Sequence, residues 1–197
     1  MSKPVIHPRK RPRQRRSEAT VDAILEAAAR ILDSHGLDAL TTNAVADRAG
    51  VSVGSLYQYF PGKAALLAEL IRREGAALVV RINVVAAEPA STLAADLAAL
   101  INAAVAHQLE RPGLARALDF IEPTLPLDGE TSAFNADLAR SISMILERHG
   151  VAEPHQAARD LIALAKGMID AAGLAGESDR VGLAARVTRA ALGYLKH

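Results

Sequence analysis

The chain has no cysteine and no tryptophan, and aromatic residues make up only 3% of its 197 positions. Without cysteine there can be no disulfide, no thiolate metal site and no cysteine nucleophile, which suits a reducing compartment. The core must be built mostly from Ala, Leu, Val and Ile. Ala and Leu favour helix, and the aromatic and β-branched surplus of a sheet protein is missing. No apolar run approaches the roughly 20 residues that cross a bilayer. The richest, residues 93–106, is broken by Asp96 and Asn102. The N-terminus carries basic residues and prolines but no apolar signal-peptide segment. These absences predict a soluble, cytoplasmic protein with no membrane partner, and 50% hydrophobic residues exclude wholesale disorder.

A net charge of +1 conceals an asymmetry. Residues 1–16 hold seven basic side chains (Lys3, Arg9, Lys10, Arg11, Arg13, Arg15, Arg16) and no acid, which leaves −6 on residues 17–197. A basic arm on a mildly acidic body points to a polyanionic partner. Pro4, Pro8 and Pro12, with almost nothing to bury, predict that residues 1–16 form a disordered arm.

Helical periodicity starts after Ser17, a good N-cap, with Val21, Ile24, Leu25, Ala28, Ile31 and Leu32. Gly36 stops that helix. Thr42 is expected to cap a two-turn helix over 43–49. Gly50-Val51-Ser52 makes a turn, a second short helix covers 53–60, and Pro61-Gly62 ends it. Further helices are expected at about 63–87, 91–109, 111–121, 132–148, 154–175 and 179–196, with 122–130 as a loop. No strand-period segment and no solenoid repeat occurs. The chain reads as all-α, with about nine helices. Its expected parts are the arm, a three-helix helix-turn-helix domain over 17–62, and a helical domain over 63–197.

Two short helices joined by a three-residue turn containing glycine are the helix-turn-helix signature. Val45, Ala46, Ala49, Val51 and Leu56 would fill the angle between them. Asn43, Asp47, Arg48, Ser52, Ser55, Tyr57, Gln58 and Tyr59 would face outward. Tyr57, Tyr59 and Phe60 are half of the chain's aromatic residues. A tyrosine hydroxyl can donate to a phosphate while its ring packs on the sugar. The plainer expectation for Phe60 is that it seals the junction with the first helix.

These residues resemble the DNA-binding signature of the TetR-type transcriptional regulators. The match runs through Thr41-Thr42, Val45-Ala46, Ala49-Gly50-Val51-Ser52, Gly54-Ser55-Leu56-Tyr57, Tyr59-Phe60, Lys63 and Leu66-Leu67, and it covers about residues 17–70. The resemblance implies that 53–60 is the recognition helix, lying in the major groove of double-stranded DNA. Ser52, Val53, Gly54, Ser55, Tyr57, Gln58 and Tyr59 would meet bases and backbone. Thr42 would hold a phosphate at a helix N-terminus, and Lys63 another. Asn43, Ser55 and Gln58 are expected to read bases, the two amides being able to pair bidentately with adenine. Val53 and Gly54 are small enough to allow close approach. Arg13, Arg15 and Arg16 would follow the minor groove or attract any polyanion.

The resemblance further implies a homodimer on a near-palindromic operator and a small-molecule effector that releases it. In the family the last two helices pair with their copies, which here would use Leu161, Leu164, Ala165 and Met168 with Val187, Ala191 and Leu195. Burial of these helices wholly inside one chain is the alternative. The middle helices would enclose the effector. Asn102, His107 and Asp119 are its candidate polar contacts, and Phe120, Phe134, Met144 and Met168 its candidate walls. Few aromatic residues favour a small or aliphatic effector over a large planar cation.

An enzyme has little support. Six histidines are scattered with no metal-ligand spacing, and neither a phosphate loop nor G-x-S-x-G is present. His149 and His155 flank a break and read as exposed capping residues. No catalytic residue, metal or cofactor is expected. The competing function is an accessory or architectural DNA-binding protein that uses the arm and takes no effector.

Overall fold

The structure is a computed structural model describing residues 5–8, 15–88 and 92–196, with the backbone alone of Arg15 and Arg16. Among these residues there are nine α-helices and no strand. They are α1 (Arg15–His35), α2 (Thr42–Ala49), α3 (Val53–Tyr59), α4 (Lys63–Ala87), α5 (Leu93–Gln108), α6 (Pro112–Ile121), α7 (Asp128–Arg148), α8 (Pro154–Leu174) and α9 (Arg180–Tyr194). No helix among them is long and apolar enough to cross a membrane.

The starts of α1 and α7 are among those that differ from the sequence reading. Helix α1 begins at Arg15, because Arg is a good helix former and nothing forces the start back to Ser17. Helix α7 begins at Asp128, so the expected loop 122–130 is a 3-10 turn over Glu122–Thr124 followed directly by helix. Asp128 and Glu130 complement the positive end of the α7 dipole.

The chain divides into two compact units, residues 1–74 with 111–127 and residues 75–110 with 128–197. The first is larger than the 17–62 segment expected to form the DNA-binding domain. Helix α6, remote in sequence, packs on α1 and belongs to it. The periodic residues of α1 are all buried, together with Leu40, Val45, Leu56, Phe60, Leu66 and Leu114. Polar contacts fix α6 on α1. Arg111 donates to both oxygens of Glu26 (3.0 and 2.9 Å), and that hydrogen bond lowers the Glu26 pKa. The amides of Gly113 (2.9 Å) and Leu114 (3.2 Å) donate to Asp33 Oδ1. A Cβ on Gly113 would lie 2.1 Å from the Asp33 carbonyl oxygen, so only glycine fits this approach.

In the second unit α5 packs on α9 and α7 on α8. Its core contains Leu97, Ile101, Val105, Leu146, Ala158 and Leu183. Leu161, Val187 and Ala191 lie in the same core. That corrects their expected place at a dimer interface, because a side chain buried in its own chain has no surface to offer a partner. Leu164, Ala165, Met168 and Leu195 are partly buried at the edge of this core.

The reading of His149 as an exposed cap is also corrected. Its Nε2 donates to Asp96 Oδ2 at 2.7 Å, and Asp96 is only 1% exposed. A buried carboxylate needs such partners, and His149 helps tie the start of α5 to the end of α7. His155, in the first turn of α8, hydrogen-bonds with the Ser143 hydroxyl at 3.0 Å.

Candidate nucleic-acid interface

The turn between α2 and α3 is built by local chemistry. Gly50 takes φ 67° and ψ 31°, the left-handed conformation that ends a helix. Its amide donates to Asp47 O (3.1 Å), and the Val51 amide donates to Ala46 O (3.0 Å). Ser52 then opens α3 by accepting the Ser55 amide at 3.0 Å. Val45, Ala46, Leu56 and Phe60 are buried where the two helices cross, and Phe60 seals the junction as expected.

Helix α2 begins one residue earlier than the sequence suggested. The cap is Thr41, whose hydroxyl accepts the Ala44 amide at 3.1 Å, and Thr42 is the first helical residue. Either threonine satisfies the capping rule, and the chain uses the one whose backbone is extended. The Thr42 and Asn43 amides then belong to the first turn, where helix donors lack intrahelical acceptors. No acidic residue sits in the first turn of α2 or of α3. The positive end of α2 is therefore open to an anion.

The outward face joins both helices. Thr42 Oγ1 and the Tyr57 hydroxyl are hydrogen-bonded at 3.2 Å, which pairs the α2 N-terminus with the middle of α3. Asn43, Ser52, Val53, Gly54, Tyr57 and Gln58 are exposed. A Cβ on Gly54 would meet only Ser52 Oγ, at 3.9 Å. Nothing among the described residues requires glycine there.

Three expected contacts are placed differently. The Ser55 hydroxyl is hydrogen-bonded to Ser52 Oγ at 2.8 Å and is half-buried, so the pair presents one shared polar edge. Tyr59 is half-buried and packs against the core, since it lies on the same side of α3 as Leu56 and Phe60. Lys63 donates to the Leu37 carbonyl at 2.6 Å, so one of its three donors is committed to the fold. Arg13 lies outside the described residues, as do the side chains of Arg15 and Arg16.

The disordered-arm reading of 1–16 is corrected at its middle. Ile6 is buried in the core of the first unit with 5% exposure, while Val5 beside it is 64% exposed. Arg72 on α4 donates to the Ile6 carbonyl at 3.2 Å. A single isoleucine among prolines and basic residues carries no periodicity, so no sequence signal marks it.

Of the expected effector contacts, Asn102, Phe120 and Met144 are exposed, the last two at 74% and 61%. Asn102 donates to the Ala98 carbonyl one turn back (2.8 Å). These three cannot wall an internal site in this chain. His107, Phe134 and Met168 are half-buried in the second unit, and Asp119 is half-buried in the first. Burial lowers the His107 pKa below 6.5, with Arg81 adding to the effect. Phe134 packs against the open side of Gly75. Among the described residues no group of three or more His, Asp or Glu is placed to hold a metal ion.

A glycine-hinged pair of short helices with a polar, hydroxyl-rich outer face defines a helix-turn-helix protein. Comparison with known proteins assigns the class more closely. The model of the bacterial regulatory proteins of the tetR family matches residues 24–70, and that of the tetracyclin repressor-like C-terminal domain matches residues 92–195. The chain belongs to the tetR family of bacterial regulatory proteins.

The chain is similar to the HTH-type transcriptional repressor KstR of Mycobacterium tuberculosis, with 49% identity over 51 residues, 26% of this chain and 23% of KstR. It is similar to the nucleoid occlusion factor SlmA of Marinomonas, with 33% identity over 95 residues, 48% of each chain. The chain thus spans less than half the length of these two relatives. The fold is also that of the fatty acid degradation regulator FadR of Bacillus halodurans, with a TM-score of 0.72 and 19% identity. That likeness covers 95% of this chain and 99% of FadR.

Proposed function

We propose that this chain is a DNA-binding transcriptional regulator that reads a near-palindromic operator as a homodimer. It acts as a repressor and is released by a small, largely apolar effector. The observation that carries this reading is the composite face of α2 and α3. Its amides and hydroxyls (Asn43, Ser52, Tyr57, Gln58) are exposed, while Val45, Ala46 and Leu56 of the same helices are buried. Asn43 and Gln58 read bases, and Thr42 with Tyr57 positions the backbone. The family membership and the name of the repressor KstR support regulation of transcription in the cytoplasm.

The dimer contact moves to the faces of α8 and α9 that their own core leaves uncovered. On α8 these are Ala163, Gly167, Ala171 and Leu174, spaced by helical turns, and on α9 Val181 and Ala185. The effector site falls to His107, Phe134 and Met168 in the second unit. An effector acts only as far as it prefers a conformation in which the two recognition helices no longer match the operator spacing. The likeness to SlmA and the basic N-terminus favour one other reading, an accessory DNA-binding protein without an effector.

The two readings differ at the exposed amides of α2 and α3. Asn43→Ala and Gln58→Ala should each cost a sequence-reading regulator about 1–3 kcal/mol and relax base preference at one position. Binding measured on a panel of single-base operator variants tests this. An unchanged preference in both variants would favour the accessory protein.

A further inference from the structure

Helix α6 does not cap itself. Its N-cap residue, Arg111, makes no side-chain cap bond. Pro112 has no amide hydrogen, and the next two amides, of Gly113 (2.9 Å) and Leu114 (3.2 Å), both donate to Asp33 Oδ1 of α1. The cap of α6 is therefore supplied by another helix. A helix of 10 residues is marginal alone in water, so the first turn of α6 depends on α1. The dependence runs both ways. Asp33 lies in the last turn of α1, three residues before Gly36 takes φ 75°. There the negative end of the α1 dipole meets the positive end of α6. The fork of Arg111 on Glu26, two turns back along α1, holds the same approach at a second point.

That last turn of α1 also carries the chain into the helix-turn-helix. Just beyond it Lys63 of α4 donates to the Leu37 carbonyl, Leu40 is buried and Thr41 caps α2. Helix α1 packs on both α6 and α2, and α2 packs on α3. We propose that Asp33 is a positioning residue for DNA binding. By capping α6 it fixes the last turn of α1, and with it the angle at which α2 and α3 meet the duplex. The inference rests on the DNA-binding reading above. Without the cap, α2 and α3 spend part of their time misaligned, and the apparent affinity falls with the aligned fraction. Paired hydrogen bonds to base edges tolerate less tilt than contacts to phosphates, so sequence preference falls with it.

The test compares Asp33→Ala with Asp33→Asn in the full chain. Asn keeps the Oδ1 acceptor and ranks with Asp as a cap. Val21→Ala, a buried change near the other end of α1, controls for lost stability. Binding is measured on a duplex selected from a random pool and on a random-sequence duplex of equal length, and is expressed per folded chain from urea curves. Asp33→Ala should weaken binding to the selected duplex about 5- to 30-fold and to the random duplex under about 3-fold. Asp33→Asn and Val21→Ala should each stay within about 2-fold of the natural chain on both. A loss in Asp33→Asn equal to that in Asp33→Ala would overturn the proposal, as would an equal loss in Val21→Ala or none in Asp33→Ala.

Hydrogen exchange tests the same route without DNA. Amides over 42–60 should exchange faster in Asp33→Ala than in Asp33→Asn, together with those over 113–121. Weaker binding with unchanged exchange over 42–60 would overturn the route through α2. Faster exchange there, in a protein whose natural chain binds neither duplex, would overturn the DNA reading and the positioning role with it, and leave Asp33 as a structural cap.

Discussion

Replacing Gly54 by alanine should make the protein more stable and a worse DNA binder at the same time. Gly54 is the second residue of α3 and is exposed. An added Cβ would meet only Ser52 Oγ, at the ordinary contact distance of 3.9 Å. The methyl therefore introduces no clash among the described residues. Glycine costs a helix interior about 0.5–1 kcal/mol relative to alanine, and the lower figure suits the first turn. For a chain of this size a gain of about 0.5 kcal/mol raises Tm by about 1–2 °C. On the binding side, residue 54 lies one turn before Gln58 on the same side of α3. If α3 reads the groove as proposed, a methyl there would hold the helix off the groove floor and stretch the Gln58 contact. The expected loss is about 1–3 kcal/mol, between about 5- and 150-fold in affinity. Urea denaturation gives the first quantity and fluorescence anisotropy on a labelled operator gives the second. Unchanged affinity would refute a close approach at the start of α3, and a fall in stability would refute the account of Gly54.

Further outcomes concern other parts of the chain. Gly113→Ala should destabilise the first unit by about 3 kcal/mol or more, since its Cβ would press on the Asp33 carbonyl and displace the capping contacts; a loss below about 1 kcal/mol in urea would contradict this. Tyr57→Phe should leave stability within about 0.5 kcal/mol, its hydroxyl pair with Thr42 being exposed. Its affinity should fall several-fold alike on all operator variants. The lowered His107 pKa links stability to pH. Above 6.5 the imidazole is neutral in both states; below it the unfolded chain takes up the proton first, so stability is present at neutral pH and falls as pH drops through 6.5 toward the folded value. Urea midpoints from pH 8 to 5.5 should show this slope, and His107→Gln should flatten it.

The helix-turn-helix was legible because its determinants are local. Gly50 needs a left-handed backbone, Ser52 caps the next helix, and the apolar spacing of α1 repeats over the whole helix. The α2 cap shifted by one residue because Thr41 and Thr42 are chemically alike. What the sequence could not show depends on partners far along the chain. Gly113 reads as an ordinary glycine until Asp33 approaches it, and Asp96 reads as an interruption of an apolar run until His149 covers it. Helix α8 is apolar around most of its circumference, so periodicity could not say that Leu161 faces inward and Leu174 outward. The same ambiguity placed Phe120 and Met144 on an internal wall, although both side chains point to solvent.

The central claim is that this chain reads DNA sequence as a symmetric pair. Selection of bound duplexes from a random pool, at a low and a physiological salt concentration, tests it directly. An inverted repeat with half-sites about one helical turn apart, enriched at both salts, is the expected result. Enrichment of no sequence, with binding that vanishes as salt rises, would contradict the account and assign the affinity to the basic N-terminus.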